Sequence, residues 1–303
     1  MSPEDVSYHR TQTAIAAELY REAASPAGEG ATWHDFKWQS RRAIKLALRE
    51  TNYLRGIPSA LVRSARAVRV LRFLMAPPKS QDQFHLLCPS YGKGSENSGS
   101  AISLDRALAI EAAFLAWRDL ELTSWLSSNR APTLKEIRAI FLHAAPMMAQ
   151  QKLQTQKRMD ASAFQEQSIA DLLLDDDWTY QSARTIDRAK GIEKRHFLQK
   201  ARFTAGSRTK EIDVAIGLGQ AFILALECKV SNDSTNSTKR LNDISEKADA
   251  WRAEYGRSLK TGAMLQGVYR AEDVLELARG GVEVFWFHDL PRFARWVSAE
   301  LRD

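Results

Sequence analysis

Cysteine is nearly absent from this 303-residue chain: only Cys88 and Cys228 occur, far apart and without His or Cys partners at metal-ligand spacing. A disulfide framework and a structural zinc site are therefore not expected. No apolar run approaches the roughly 18 residues that a membrane span requires, and Met1-Ser-Pro-Glu-Asp5 opens neither a signal peptide nor a transit peptide. The expectation is a soluble, cytoplasmic protein with no membrane partner. No internal repeat is visible. Gly92-Lys-Gly94 lacks the Gly-x-x-x-x-Gly-Lys-Ser/Thr arrangement of a phosphate loop and has no strand-to-helix context, so a nucleotide site is set aside there.

What is present begins with 44% hydrophobic residues, enough for one large domain or two ordinary ones, each with its own core. The net charge of +6 is unevenly spread. Residues 1–155 hold 20 Lys and Arg against 14 Asp and Glu, whereas residues 156–303 hold 23 of each. Lys37 to Arg72 alone contains ten basic residues and a single acidic one, Glu50. Such a concentration suits a polyanion, with nucleic acid the commonest choice; a solvated face and an anionic membrane surface are the alternatives.

Read in order, the chain predicts helices over residues 5–24, Lys37–Arg55 and Pro58–Met75. In the last of these, Leu61, Ala65, Val68 and Leu71 form an apolar stripe while Arg63, Arg66, Arg69 and Arg72 advance by threes around the other side. Pro89 to Ser100 reads as a loop. Helices resume over about Leu104–Leu126 and again after Thr133, an N-cap with Glu136 three residues on, through about Arg158. Near residue 160 the character changes, giving a helical, basic domain over 1–158 and a second domain over 159–303. Ser162 is expected to cap a helix Ala163–Leu174 carrying Glu166, and Asp175-Asp-Asp177 reads as its solvated end. Strand segments follow at Trp178–Thr185 and Arg195–Thr204, in a stretch from Arg184 to Lys210 with nine basic and two acidic residues.

Two apolar strands then run from Glu211 to Val230, joined by a glycine turn expected at Gly217 to Gln220. Alternation puts Ile212, Val214, Ile216 and Leu218 on one face and Asp213 on the other; in the second strand Phe222, Leu224 and Leu226 face away from Glu227 and Lys229. Cys228 lies on the apolar face. Asp213 should stand opposite a residue between 224 and 227, so the two carboxylates can be cross-strand neighbours. Charges on such strands need partners or a bound ion. One reading is an interstrand ion-pair cluster. The other is a divalent, oxygen-loving cation such as Mg²⁺ held by Asp213 and Glu227, with Lys229 beside it to orient or activate water for phosphodiester hydrolysis.

Immediately beyond Lys229 the run Val-Ser-Asn-Asp-Ser-Thr-Asn-Ser-Thr-Lys-Arg-Leu-Asn242 holds more short hydrogen-bonding side chains than one helix cap requires. Asn232, Asn236, Lys239, Arg240 and Asn242 are candidates for gripping a DNA backbone or reading base edges. The helix that follows places Leu241, Ile244, Ala248, Trp251 and Tyr255 on one stripe and ends at Gly256. Strand Thr261–Tyr269, helix Glu272–Arg279, strand Val282–Phe287 and helix Pro291–Leu301 complete the chain. The order predicts an α/β (α+β) fold with a mixed sheet flanked by helices.

A helix with Glu166, then Ile212-Asp213, then Glu227-Cys-Lys229, resembles the PD-(D/E)XK nuclease superfamily, with Ile212 where the motif has proline. The run Glu-Cys-Lys-Val-Ser-Asn with Thr-Asn-Ser-Thr-Lys-Arg-Leu-Asn, and the late Val-Phe-Trp-Phe-His-Asp-Leu290, further resembles restriction endonucleases of the XamI type. The likeness covers about residues 160 to 300. It implies a PD-(D/E)XK core in which Asp213 and Glu227 bind Mg²⁺, Lys229 positions or deprotonates the attacking water, and Glu166 supports metal or lysine. It implies a type II enzyme cutting double-stranded DNA at a specific site, working as a homodimer if that site is palindromic. A structure-specific repair or recombination nuclease and a non-catalytic DNA-binding protein are the other classes compatible with these residues.

Overall fold

The structure, a computed structural model, describes residues 1–23, 26–187, 191–206 and 208–301, with the backbone alone for residues 26–28, 158 and 236. The chain divides into two compact units, residues 26–155 and residues 1–25 with 156–303. The first helix, α1 (Pro3–Ala23), lies in the unit that holds residues 156–303. The reason is its partners. Ala16 is buried in a cluster with Leu241, Ile244, Ala263 and Trp286. The Tyr8 hydroxyl donates to Asp289 at 2.7 Å, and the Trp286 indole to His9 Nδ1 at 3.3 Å.

Unit 26–155 is helical: α2 (Pro26–Glu50), α3 (Ile57–Leu61), α4 (Ala67–Phe73), α5 (Gln81–Leu87), α6 (Lys93–Ser98), α7 (Leu104–Trp117), α8 (Ser124–Ser127) and the start of α9 (Leu134–Asp175). The single basic helix expected over Pro58–Met75 is instead the pair α3 and α4, so the arginine periodicity does not continue along one surface. Arg72 is turned inward with 1% of its side chain exposed, and its guanidinium meets Glu96 through two bonds of 3.0 and 2.6 Å. A charge removed from water needs such a bidentate partner. Glu96 comes from α6, inside the stretch expected to be a loop, and it also accepts from Tyr91 and Gln81. Burial pushes the Glu96 carboxyl up, but the bonds from Arg72, Tyr91 and Gln81 outweigh it and hold the group below its ordinary 4.5.

Thr133 and Glu136 form the expected reciprocal cap of α9. The helix then runs unbroken for 42 residues with Pro146 inside it. Ser162 is thus an interior position rather than a cap, flanked by alanines that continue the helix.

In the second unit, β1 (Thr179–Gln181), β2 (Thr185–Ile186), β3 (His196–Ala205), β4 (Arg208–Gly219), β5 (Phe222–Ser231), β6 (Leu259–Gly267) and β7 (Glu283–Trp286) form one mixed sheet of order β1-β3-β4-β5-β6-β7, with β2 also pairing β3. β3, β4 and β5 are antiparallel; β6 and β7 run parallel to β5. The later part of α9 and helix α12 (Leu290–Ala299) pack on one face through Ile169, Leu173, Phe293 and Val297. Helix α10 (Ser234–Tyr255) covers the other through Leu241, Ile244, Ala248 and Trp251, with α11 (Ala271–Arg279) beside it. Mixed sheet, flanking helices and a preceding helical region are as the sequence predicts.

The β4–β5 connection lies two residues later than expected. Gln220 and Ala221 form it, with φ of 45° and 63°. Positive φ at both central residues gives the backbone twist that suits a two-residue hairpin. Gly217 is needed for space instead, since a Cβ there would lie 2.0 Å from the Glu193 carbonyl oxygen.

The buried Arg72–Glu96 pair sets a first expectation. Arg72→Met should lower the unfolding free energy by about 3–5 kcal/mol in a urea titration, because Glu96 is stranded, whereas adding Glu96→Leu should restore most of the loss. Equal losses in single and double variants would show that the pair does not hold α4 to α6.

Candidate active site

The site lies where paired strands part. β4 and β5 pair from Gly219↔Phe222 to Val214↔Leu226, with a shift of register between Gly219 and Gly217. Beyond that point β4 continues beside β3, with Ile212↔Ala201, while β5 continues beside β6, with Glu227↔Ala263 and Lys229↔Leu265. Asp213 and Glu227 face one another across the resulting fork, at the far end of the range expected from sequence. The Asp213 carboxylate accepts the Cys228 backbone N–H at 2.8 Å, so a side chain bridges the strands where the ladder stops.

The simple alternation expected of β4 slips here. Val214, Ile216 and Leu218 pack on the α9 face, yet Ile212 packs with Ala201, Phe203 and Trp251 on the α10 face. Across from Asp213, Lys200 holds φ of 55° within β3, between the pairs Gln199↔Val214 and Ala201↔Ile212. Left-handed backbone at a lysine in mid-strand is costly and persists only where its surroundings impose it.

Three carboxylates and three ammonium groups meet at the fork. Lys200 Nζ donates to Glu166 Oε1 and Asp213 Oδ1, each at 2.7 Å. Lys229 Nζ binds Glu227 Oε2 and lies 3.8 Å from Asp213 Oδ2. Lys247, from α10, reaches Glu227 Oε1 at 2.5 Å and the Glu211 carbonyl at 2.8 Å. Glu227 is the deepest of the six, its side chain 1% exposed and clasped by two lysines. The sequence-predicted Glu166, Asp213, Glu227 and Lys229 are thus brought into one network.

Neighbours fix these elements. Gln165, fully buried, donates to the Met264 carbonyl at 3.2 Å, and Gln199 donates to the Glu166 carbonyl at 3.3 Å, so α9 is pinned to the sheet on both sides of Glu166. The Tyr269 hydroxyl donates to the Lys229 carbonyl at 2.8 Å. Cys228 is buried core packing, its thiol pushed up by burial.

Protonation follows from the pairing. For Asp213, burial raises the carboxyl, but Lys229, the Lys200 bond and the Cys228 N–H outweigh it and hold it below 3.8. Burial alone would lower Lys229, yet the charges of Glu227 and Asp213 hold it above 10.5. Glu166 is pushed above 4.5, chiefly by burial, with the negative charge of Asp213 adding and Lys200 opposing.

Lys200 and Lys247 were not among the predicted site residues. Lys247 falls three residues after Ile244 and four before Trp251, so a charge on the apolar stripe of α10 was the available signal. Lys200 had only its place in a basic strand. Of the candidates for DNA contact, Lys239 and Asn242 are exposed and Arg240 is half-exposed on α10. Asn232 lines a cavity of about 240 Å³ with Tyr20, Val230, Gln266 and His288. The Asn236 side chain lies outside the described residues. Among the described residues, none of these candidates joins the lysine–carboxylate network. In the basic tract of the helical unit, Arg72 is committed to Glu96 and has no charge to offer a phosphate.

A divalent ion is implied by the resemblance, and the donors available suit one kind. Among the described residues no group of three His, Cys, Asp or Glu side chains is clustered to hold a metal. The pair Asp213 and Glu227 offers hard oxygen ligands, the number Mg²⁺ takes when waters and substrate phosphates complete its shell.

The second unit is thus a mixed sheet with acidic and lysine side chains gathered at a strand fork. A family model described as XamI restriction endonuclease matches residues 52–286, and the chain belongs to that family. The type II restriction enzyme XamI of Xanthomonas campestris pv. amaranthicola is 29% identical over 191 residues, 61% of this chain and 66% of that enzyme, just under two thirds of its length. Two solved structures align with low scores. Protein VC1899 from Vibrio cholerae has a TM-score of 0.30 at 10% identity, covering 89% of this chain and 57% of its own. A complex of the restriction endonuclease PspGI with substrate DNA has a TM-score of 0.32 at 13% identity, covering 82% and 76%.

The held proton on Lys229 gives a pH expectation. A folded-state value above 10.5 contributes stability that is complete below pH 10.5 and is lost as pH rises through the folded value. In thermal melts across the alkaline range, Lys229→Met should therefore lose less stability above pH 10.5 than the native chain does. Parallel curves would remove Lys229 from this ion-pair cluster.

Proposed function

We propose that this chain is a Mg²⁺-dependent type II restriction endonuclease that hydrolyses phosphodiester bonds at a specific, palindromic site in double-stranded DNA. The observation that carries the reading is the fork itself: Asp213 and Glu227 face each other with Lys229 between them, on the two strands whose sequence carries the family likeness. A PD-(D/E)XK assignment rests on the same residues.

Asp213 and Glu227 would hold the ion, which when bound acidifies water and neutralises charge on the scissile phosphate. The chain's own contributions are positional and electrostatic. Lys229 is held protonated by Glu227 and Asp213 in the ion-free chain; beside the ion it would orient or deprotonate the attacking water and stabilise developing negative charge. Tyr269 fixes the Lys229 backbone, and Lys247 keeps one oxygen of Glu227 in place. Glu166, pinned through Gln165 and Gln199, orients the same cluster from α9. Exposed Lys239 and Asn242 and half-exposed Arg240, with Asn232 and Asn236, would meet the duplex. Because a palindrome has a two-fold axis, the working form would be a homodimer.

Digestion of supercoiled plasmid is the direct test. Discrete fragments should form with Mg²⁺ and none with EDTA; sequence-independent cuts at ends or branches would indicate a repair nuclease, and retardation without cutting a binding protein. Lys229→Ala should lower the cleavage rate by a factor on the order of 10² to 10³ or more while leaving gel-shift affinity nearly intact. Undiminished cleavage by that variant would overturn the assignment.

A further inference from the structure

We infer that Lys200 is a tethered counter-cation of this site, which occupies Glu166 and Asp213 when no divalent ion is bound and competes with that ion for Asp213. The inference rests on the proposed function only in requiring that Asp213 belong to a cation site.

Four observations point the same way. Lys200 Nζ sits between the two carboxylates, 2.7 Å from an oxygen of each, where a cation shared by two anions would sit. Its backbone is held at φ of 55° in mid-strand, a conformation that L side chains rarely adopt and that aims this residue at Asp213. Its side chain is 45% exposed, against 20% for Lys229 and 25% for Lys247, so of the three lysines it is the one most open to solvent. Lys247, by contrast, is fastened to the Glu211 carbonyl as well as to Glu227.

The charge balance gives the reason for the arrangement. Glu166, Asp213 and Glu227 are offset one for one by Lys200, Lys229 and Lys247. A doubly charged ion entering this cluster would leave a surplus of positive charge, and release of Lys200 to solvent reduces it. Lys247 can stay on Glu227 while Asp213 and Glu227 take up the ion. Lys200 is on this account a positioning residue: without an ion it keeps two mutually repelling carboxylates in place, and it weakens ion binding to the unliganded protein.

Calorimetric titration of the full chain with Mn²⁺ and with Ca²⁺, in the absence of DNA, tests this. Lys200→Met should bind either ion about tenfold or more tightly than the native chain, since a competing charge is gone, while Lys200→Arg should stay near the native affinity. In EDTA, Lys200→Met should melt at lower temperature than the native chain, and saturating Ca²⁺ should close the gap. Lys200→Gln serves equally should the methionine variant fail to fold. Unchanged or weaker ion binding in the neutral variants, or a melting deficit that Ca²⁺ does not repair, would overturn the inference and leave Lys200 a structural ion pair. Asp213→Asn separates the two levels: if it leaves native ion binding intact, the cation site itself is misplaced; if it abolishes binding while Lys200→Met gains nothing, only the role of Lys200 fails.

Discussion

Glu227 is a carboxylate almost wholly withdrawn from water, and everything around it follows from the need to satisfy both of its oxygens. One oxygen takes Lys229, two residues along the same strand; the other takes Lys247, which requires α10 to fold back over the sheet with that residue turned inward. For Lys229 to share Asp213 as well, β4 and β5 must part after Val214↔Leu226. The helix bearing Glu166 must also be locked to the sheet, which Gln165 and Gln199 accomplish. The fork, the placement of α10 and the pinning of α9 are consequences of one buried charge.

A cluster of this kind is poor evidence for stability by itself, because buried ion pairs rarely outperform apolar packing of the same volume. Its value lies in arrangement. Each carboxylate is fixed by at least one ammonium group, so the oxygens stay oriented before any ligand arrives and little reorganisation is needed afterwards. The two roles considered for these charges, ion-pair cluster and cation site, are therefore compatible: pairing is how the unliganded arrangement holds its shape.

How far the sequence discloses this depends on the type of signal. Period-2 alternation from Val214 to Leu226, with the turn between them, was strong enough to set Asp213 against the end of β5, and the 241, 244, 248, 251 stripe located α10 and its buried face. Both signals repeat over several residues in one element, so local errors average out. Lys200, Arg72 and Ser162 show where that averaging fails. The inward turn of Arg72 depends on Glu96, 24 residues away, in a segment whose Gly and Ser content reads as loop. The left-handed backbone at Lys200 depends on Glu166 and Asp213 from two other elements. Ser162 has the chemistry of a cap, yet the helix runs through it. A lone charge on an otherwise apolar stripe, as at Lys247, is the one such feature that a sequence does display.

The docking of α1 beside residues from the opposite end of the chain has a consequence for synthesis. His9 and Tyr8 bond to Trp286 and Asp289, Arg292 lies over the Tyr8 ring, and Ala16 packs with residues after 240. The helical unit of residues 26–155 is thus, in order of translation, an insertion within a unit whose first and last pieces emerge at opposite times. The helical unit is synthesised before any of these partners, and the set that covers α1 is complete only once Trp286 and Asp289 have emerged. A chain cut short before residue 286 would lack the groups that seat its own first helix.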